Sequence, residues 1–263
     1  MPRMATAGDQ TVRRTALEIF KRVEDNAHSA VRRSTQALAF SGLAGGLTMG
    51  LTGLGVATAL AVLPDSPSRD FVAYLLYPLG FIAVIIGRAQ LFTENTLYPV
   101  ALILSERRHV LDTARLWAVV FASNVMGAIA FSALAIRTDA LNREISQQLV
   151  QSGTQLVGGS VSHVFWSAVI GGWLIALVAW LVTASHWTIG QIAVIWLLTF
   201  VVGIGRFSHC IASSGEIMSA VFAGSVPFAR YLSWLAVATA GNIAGGVTIV
   251  TLLNFGQVKA GED

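Results

Sequence analysis

The chain has 263 residues, of which 54% are hydrophobic and 12% charged, where a soluble domain carries roughly a quarter charged residues. Lys and Arg number 17 and Asp and Glu 14, giving a formal charge of +3. Most of that charge sits outside long apolar runs, which excludes an ordinary water-soluble enzyme and gives no reason to expect a nucleic-acid partner. The uncharged runs are 31 residues between Arg33 and Asp65, 21 between Arg115 and Arg137, 61 between Glu144 and Arg206, and 28 between Arg230 and Lys259. Roughly 20 apolar residues span a bilayer, so the pattern is that of an all-α polytopic membrane protein.

In chain order, residues 1–34 read as an amphipathic N-terminal segment. Val12, Ala16, Phe20, Val23, Ala27 and Val31 recur at helical spacing among Arg, Lys and Glu. Such a helix either lies on a leaflet or gates a pore mouth, or is a surface helix packed on a neighbour. The segment has no apolar core of the kind a cleavable signal peptide carries. The first span is expected at about Thr35 to Leu63, closed by the Pro64-Asp65-Ser66-Pro67 turn cluster. A second region, Phe71 to Leu104, is interrupted by Arg88 and Glu94 and reads as one broken helix. The third runs from about Leu116 to Ile136 and the fourth from Ser162 to Ala184, ended by Ser185-His186-Trp187. The fifth begins near Thr188, is interrupted by Arg206, His209 and Ser213-Ser214-Gly215-Glu216, and resumes over Ile217 to Ala223. The sixth runs from about Phe228 to Asn254, leaving 256–263 as a short tail.

Six spans put both termini on one side. The loops and termini of that side hold eleven Lys and Arg and the opposite side four, Arg69, Arg137, Arg143 and Arg230, which predicts cytoplasmic termini. Arg88 and Arg206 remain for the membrane interior.

The chain also repeats itself. Ile86-Gly87-Arg88 matches Ile204-Gly205-Arg206, and Ser123-Asn124-Val125-Met126-Gly127-Ala128 matches Gly241-Asn242-Ile243-Ala244-Gly245-Gly246, both at an offset of 118. A looser match, Ser41-x-x-x-Gly45-Gly46 against Ser167-x-x-x-Gly171-Gly172, falls at 126. Three spans per half, about 35–137 and 160–255, require the copies to cross the membrane in opposite directions. Inverted repeats with a broken helix in each half point to a site near the bilayer midplane. Gly42, Gly46 and Gly50 follow the small-xxx-small spacing of close helix packing.

The two breaks read Arg88-Ala89-Gln90-Leu91-Phe92-Thr93-Glu94-Asn95-Thr96 and Arg206-Phe207-Ser208-His209-Cys210-Ile211-Ala212-Ser213-Ser214-Gly215-Glu216. The Leu-Phe-Thr-x-Asn and Phe-x-His-Cys-Ile-Ala elements within them resemble the two signature loops of the formate/nitrite transporter family, over about residues 36–255. The resemblance implies an aquaporin-like six-helix fold and a homopentamer in a bacterial inner (plasma) membrane, each protomer with a pore for small monovalent anions. It implies that His209 is the central histidine, Thr93 the loop threonine, and Leu91 and Phe92 an apolar constriction, with a second constriction near Phe81 and Val202. Asn95, Phe207, Ser208 and Ser213 fall within the same two loops. A dry ring penalises a bare anion far more than its neutral acid, and an imidazole at the midplane can donate a proton or offer a positive field.

The chain departs from the family pattern at paired positions. Arg88-Ala89-Gln90 stands where Gly-Ala-Glu is common, and Arg206-Phe207-Ser208-His209 where Gly-Phe-Glu-His is common. Glu94 replaces the usual glycine before Asn95, Ser213 stands where the second loop has an asparagine, and Gly172 occupies the fourth-span asparagine position. No Lys lies between Lys21 and Lys259 to match the fourth-span lysine. Charges exposed to hydrocarbon cost roughly 2.5–3.5 kcal/mol each. Arg88, Glu94, Arg206 and Glu216 are therefore expected to face the interior, the arginines pairing with the carboxylates to brace the loops or attract anions.

A channel for another or a neutral small solute remains the alternative, although the paired Asn-Pro-Ala loops of aquaporins are absent. An intramembrane serine hydrolase built on Ala212-Ser213-Ser214-Gly215 is a remote third reading. It leaves the repeat unexplained. No catalytic activity and no cofactor are expected, and His209, Cys210 and Glu216 have no recognisable metal-ligand spacing. The single Cys210 allows no internal disulfide.

Overall fold

The structure is a computed structural model and describes residues 13–261; Val12, the first of the amphipathic positions, lies outside the described residues. The described chain is built from helices. The N-terminal helix α1 (Ala16–Val31) starts in a capping box, with the Glu18 N–H donating to Thr15 Oγ1 at 3.2 Å and the Thr15 N–H donating to Glu18 Oε2 at 2.7 Å. Its buried face is Phe20, Val23, Ala27, Ala30 and Val31, as the periodicity predicts.

Next come α2 (Thr35–Val62), α3 (Arg69–Tyr74), α4 (Leu79–Ile86), α5 (Tyr98–Glu106), α6 (Val110–Arg137) and α7 (Arg143–Leu156). The second half holds α8 (Val161–Ala184), α9 (Thr188–Ile204), α10 (Ala212–Phe222), α11 (Phe228–Ala244), a π-helical stretch (Gly245–Leu252) and α12 (Leu253–Ala260). α1 packs against α5, α8 and α12. Five of the apolar segments are long enough to cross a membrane, and α9 is a shorter apolar helix. Ser34 and Ser160 cap α2 and α8 by accepting the Ala37 and His163 N–H groups, each at 3.2 Å.

Several features differ from the sequence expectation, and α6 starts at Val110 rather than Leu116. The amphipathic α7 was absent from the predicted elements, because its single buried Leu149 and Gly153 give too short an apolar stripe to stand out beside a 61-residue uncharged run. It packs under α10 and α2. The first half of the broken second region is itself bent between α3 and α4, at Pro78. The sixth segment passes through the π stretch, where Thr251 Oγ1 donates to the Thr96 carbonyl at 3.1 Å and Gly246 lies against the Thr96 side chain. A π turn in a packed helix commonly marks a functional neighbourhood, and here it accommodates the end of the first loop.

The core pairs are α2 with α6 and α8 with α11, and they are built alike. A Cβ on Gly46 would collide with the Asn124 carbonyl, and one on Gly172 with the Asn242 carbonyl. The repeated Gly-Gly markers are thus the points of closest backbone approach in the two halves. Large apolar side chains such as Phe40, Leu47, Met126, Leu134 and Trp166 stand exposed on the outside of these helices, a surface suited to lipid or a neighbouring protomer rather than to water.

Candidate functional site

Each broken helix ends in the same way. α4 closes with Ala89 N–H to the Val84 carbonyl at 3.1 Å and Arg88 N–H to the Ile85 carbonyl at 3.2 Å; α9 closes with Phe207 N–H to Val202 at 3.0 Å and Arg206 N–H to Gly203 at 2.9 Å. These are Schellman closures, which place one residue in the left-handed region. That residue is Arg88 (φ 60°) in one half and Arg206 (φ 51°) in the other. The physics explains why glycine is common there: only glycine takes this conformation without a steric cost.

Beyond each closure the chain leaves the helix and is clamped by an asparagine from a neighbouring helix. Asn124 of α6 accepts the Phe92 N–H at 2.8 Å and donates to the carbonyls of Gly42 at 2.7 Å and Gln90 at 2.9 Å. Asn242 of α11 accepts the Cys210 N–H at 2.8 Å and donates to Ala168 at 2.7 Å and Ser208 at 2.9 Å. Serines complete both clamps, Ser41 Oγ accepting the Gln90 N–H at 3.1 Å and Ser167 Oγ the Ser208 N–H at 3.0 Å. The repeat markers read from the sequence are therefore the residues that satisfy the non-helical backbone at membrane depth. Sequence reading treated them as repeat signals and did not include Asn124, Asn242, Ser41 or Ser167 among the site residues; their recurrence at fixed offsets was the available signal.

The clamped loops meet at His209 and Thr93, whose Nε2 and Oγ1 are 2.8 Å apart and fully buried. The Ala212 N–H donates to His209 Nδ1 at 3.0 Å, so Nδ1 carries a lone pair, and Nε2 holds the proton that it donates to Thr93. In this arrangement the imidazole is neutral and the Thr93 hydroxyl keeps its own hydrogen to donate. Phe81 stands edge-on to His209, ring centroids 5.1 Å apart, and Leu91, Phe92 and Val202 are buried around the pair. Phe92 is held by Trp117 and Phe121. Asn95 braces its own loop, donating to the Leu91 carbonyl and Gln90 Oε1, both at 3.0 Å.

A cavity approaches this centre from each end. α4 and α9 are antiparallel, the end of α9 at Gly203 lying against Tyr77 ahead of α4, so Arg88 and Arg206 mark opposite ends. One cavity, about 210 Å³, is lined by Asn26, Arg33, Arg88, Gln90, Glu94 and Asn95; the other, about 140 Å³, by Tyr74, Val202, Arg206, Phe207, Ser208, Ser213 and Glu216. Beside the first, Arg14, Arg22 and His186 extend the basic rim.

The expected pairing of arginines with the loop carboxylates is corrected here. Arg88 and Arg206 are exposed to the cavities, and among the described residues neither forms an ion pair with Glu94 or Glu216. Arg206 instead reaches Asp70 of α3 at 3.1 Å and Gln155 of α7 at 2.9 Å. The guanidinium side chains of the left-handed residues are exposed, while Glu94 and Glu216 are buried along the walls of the same cavities. Ser213 Oγ accepts the His209 N–H at 3.5 Å, and Ser214 Oγ donates to the Cys210 carbonyl at 2.5 Å. Both His209 ring nitrogens are engaged elsewhere, so His209 does not serve either serine as the base a hydrolase would require.

Two interrupted helices entering from opposite faces, clamped by side chains and meeting at a buried polar pair, define an inverted-repeat membrane channel or transporter. The formate/nitrite transporter model matches residues 17–256, and the chain belongs to the formate/nitrite transporter family. It is 32% identical over 251 residues to inner membrane protein YfdC of Escherichia coli (strain K12), covering 93% of this chain and 79% of that one. It is 31% identical over 196 residues to a probable formate transporter of Methanothermobacter thermautotrophicus, covering 68% and 71%. Among solved structures, an FNT family ion channel superposes with a TM-score of 0.82 at 17% identity, covering 91% of this chain and 98% of that one. A pentameric formate channel with formate bound gives 0.70 at 18%, covering 83% and 95%.

Proposed function

We propose that the chain is a homopentameric channel, one pore per protomer, that passes a small monovalent anion such as formate or nitrite with its proton. The carrying observation is the buried 2.8 Å contact between His209 and Thr93, enclosed by Phe81, Leu91, Phe92 and Val202, between two cavities that each hold an exposed arginine. A bare carboxylate in a dry ring loses solvation on the order of tens of kcal/mol, and a hydroxyl donor alone does not repay it. The anion therefore collects beside Arg88 or Arg206, takes a proton from the water of that cavity and crosses as the neutral acid, accepting a hydrogen bond from Thr93 and returning the proton to water in the opposite cavity. With Nδ1 occupied by the Ala212 N–H, His209 orients Thr93 and does not itself supply the proton. The neutral hydrogen-bonded centre also suits an uncharged solute, the second reading.

The six-span topology, both termini cytoplasmic in a bacterial inner membrane, is supported by the distribution of Lys and Arg between the two loop sets. Nothing in the pore requires catalytic chemistry. Purified protein in liposomes, tested with formate, nitrite, acetate and hydrosulfide, checks the proposal. Flux of at least one of these that rises as the external pH falls, and that drops in His209→Ala, supports it. No flux of any of them, or full flux in His209→Ala, overturns it.

A further inference from the structure

A second polar cluster lies away from the pore, where α1 meets the turn between α5 and α6. His28 Nε2 is 2.6 Å from Glu106 Oε1, and His109 Nε2 is 3.3 Å from Glu106 Oε2. One ligand atom from each of the three side chains falls within 4.8 Å of the other two, and all three side chains are half-buried. With His109 neutral, Glu106 receives one imidazole N–H, from His28, and faces a lone pair of His109. His109 Nδ1 is bonded to Asp112 Oδ2 at 3.1 Å, which turns the Nε2 lone pair toward a carboxylate oxygen, and that Nε2 is buried without a hydrogen-bond partner. His28 Nε2 faces the same carboxylate. The turn is held in shape by two left-handed residues, Arg107 (φ 53°) and His109 (φ 70°), a cost that persists only where surrounding contacts enforce it.

We propose that His28, Glu106 and His109 bind a divalent transition metal, Zn²⁺ above all, through the two Nε2 atoms and a Glu106 oxygen, leaving a fourth position for water. Two imidazoles and a carboxylate are a donor set that suits Zn²⁺, with ligand bonds of about 2.0–2.2 Å. Asp112 supplies the outer carboxylate that fixes a metal-binding histidine through its other nitrogen. Arg108, whose Nε lies 2.5 Å from Glu106 Oε2, is exposed and gives way when the cation enters. The site joins α1 to the α5–α6 turn, and α1 supplies Asn26 and Ser29, and the turn after it Arg33, to the wall of the nearer cavity. Metal binding therefore stiffens that wall. Glu106 and His109 are three residues apart, but His28 lies 78 and 81 residues before them, which is why no motif announces the set.

Equilibrium dialysis of the detergent-purified full chain against Zn²⁺, followed by metal quantitation, tests the site. About one Zn²⁺ per chain is expected, with a rise in Tm that Mg²⁺ does not reproduce. Asp112→Asn weakens binding by about 10–100-fold. The double variant His28→Gln/His109→Gln loses binding while eluting as the same oligomer. Unchanged stoichiometry in that double variant, or no rise in Tm with Zn²⁺, overturns the proposal. Co²⁺ loading of the unmodified protein gives a readout free of any folding defect: the visible absorption of an N- and O-ligated ion supports the site, and its absence sinks it.

Discussion

The two interrupted helices share one scaffold and carry different chemistry. At the offset of 118, Gln90 corresponds to Ser208 and Asn124 to Asn242, and both pairs make the same hydrogen bonds. At the same offset Leu91 corresponds to His209, Phe92 to Cys210 and Thr93 to Ile211. The positions that hold the backbone obey the symmetry and the positions that face the centre break it. One half offers an apolar wall and a hydroxyl, the other an imidazole, and the pair forms only because each loop is pinned at the same depth. The comparison separates what the repeat is for, positioning, from what the pore is for, selection.

The strongest way to break this comparison is to remove a clamp. Asn124→Ala and Asn242→Ala each delete three hydrogen bonds to buried backbone and leave those groups unsatisfied, so each is expected to cost roughly 3–5 kcal/mol. Thermal unfolding in detergent should give losses of similar size for both. A mild effect in one half alone would show that the halves are not held equivalently. At the asymmetric centre, Thr93→Val keeps the shape and removes the donor. Flux is expected to fall by about tenfold, the equivalent of one hydrogen bond to substrate. Assembly should be unaffected, and unaltered liposome flux would remove Thr93 from the passage.

Arg88→Gly and Arg206→Gly sharpen the comparison at the helix closures. Each relieves left-handed strain worth about 1–2 kcal/mol, but Arg206 also gives up Asp70 and Gln155. The Tm should therefore rise more for Arg88→Gly than for Arg206→Gly, and both variants should lose part of the salt dependence of flux. Equal shifts in Tm would mean that the Arg206 contacts contribute nothing.

The smallest effect is outside the membrane. The Thr15 backbone N–H, then its hydroxyl, holds the Glu18 carboxyl below the usual carboxylate range. A group lowered in the folded state contributes its full stabilisation above its unfolded pKa and loses it as pH falls through the folded value. Acidification should thus fray the start of α1, seen as faster amide exchange over its first turn. Glu18→Gln should show that faster exchange at neutral pH already and little further change in acid.

Much of the fold was legible in the sequence because hydropathy and capping act locally. The end of α2 at Val62, the end of α8 at Ala184 and the start of α9 at Thr188 follow from the turn clusters at Pro64 and Ser185 beside long apolar runs, and the starts of α2 at Thr35 and α11 at Phe228 fall where hydropathy places them. The repeat located both breaks, since glycine, asparagine and arginine at a fixed offset mark backbone that needs special geometry. That Arg88 forms no ion pair with Glu94, nor Arg206 with Glu216, was not legible. Nearness along the chain says little about partners once a left-handed residue turns its side chain outward.

The sequence by itself determined which segments form long apolar helices and where the two interrupted helices stop, because each depends on residues within a few turns of one another, and the matching motifs at one offset related the two halves. Only the tertiary structure decided which side chains meet. His209 finds Thr93 across 116 positions, Arg206 finds Asp70 across 136, and His28 meets Glu106 across 78. Such contacts depend on how antiparallel helices register in three dimensions, and that register is set by glycine contacts and asparagine clamps acting together.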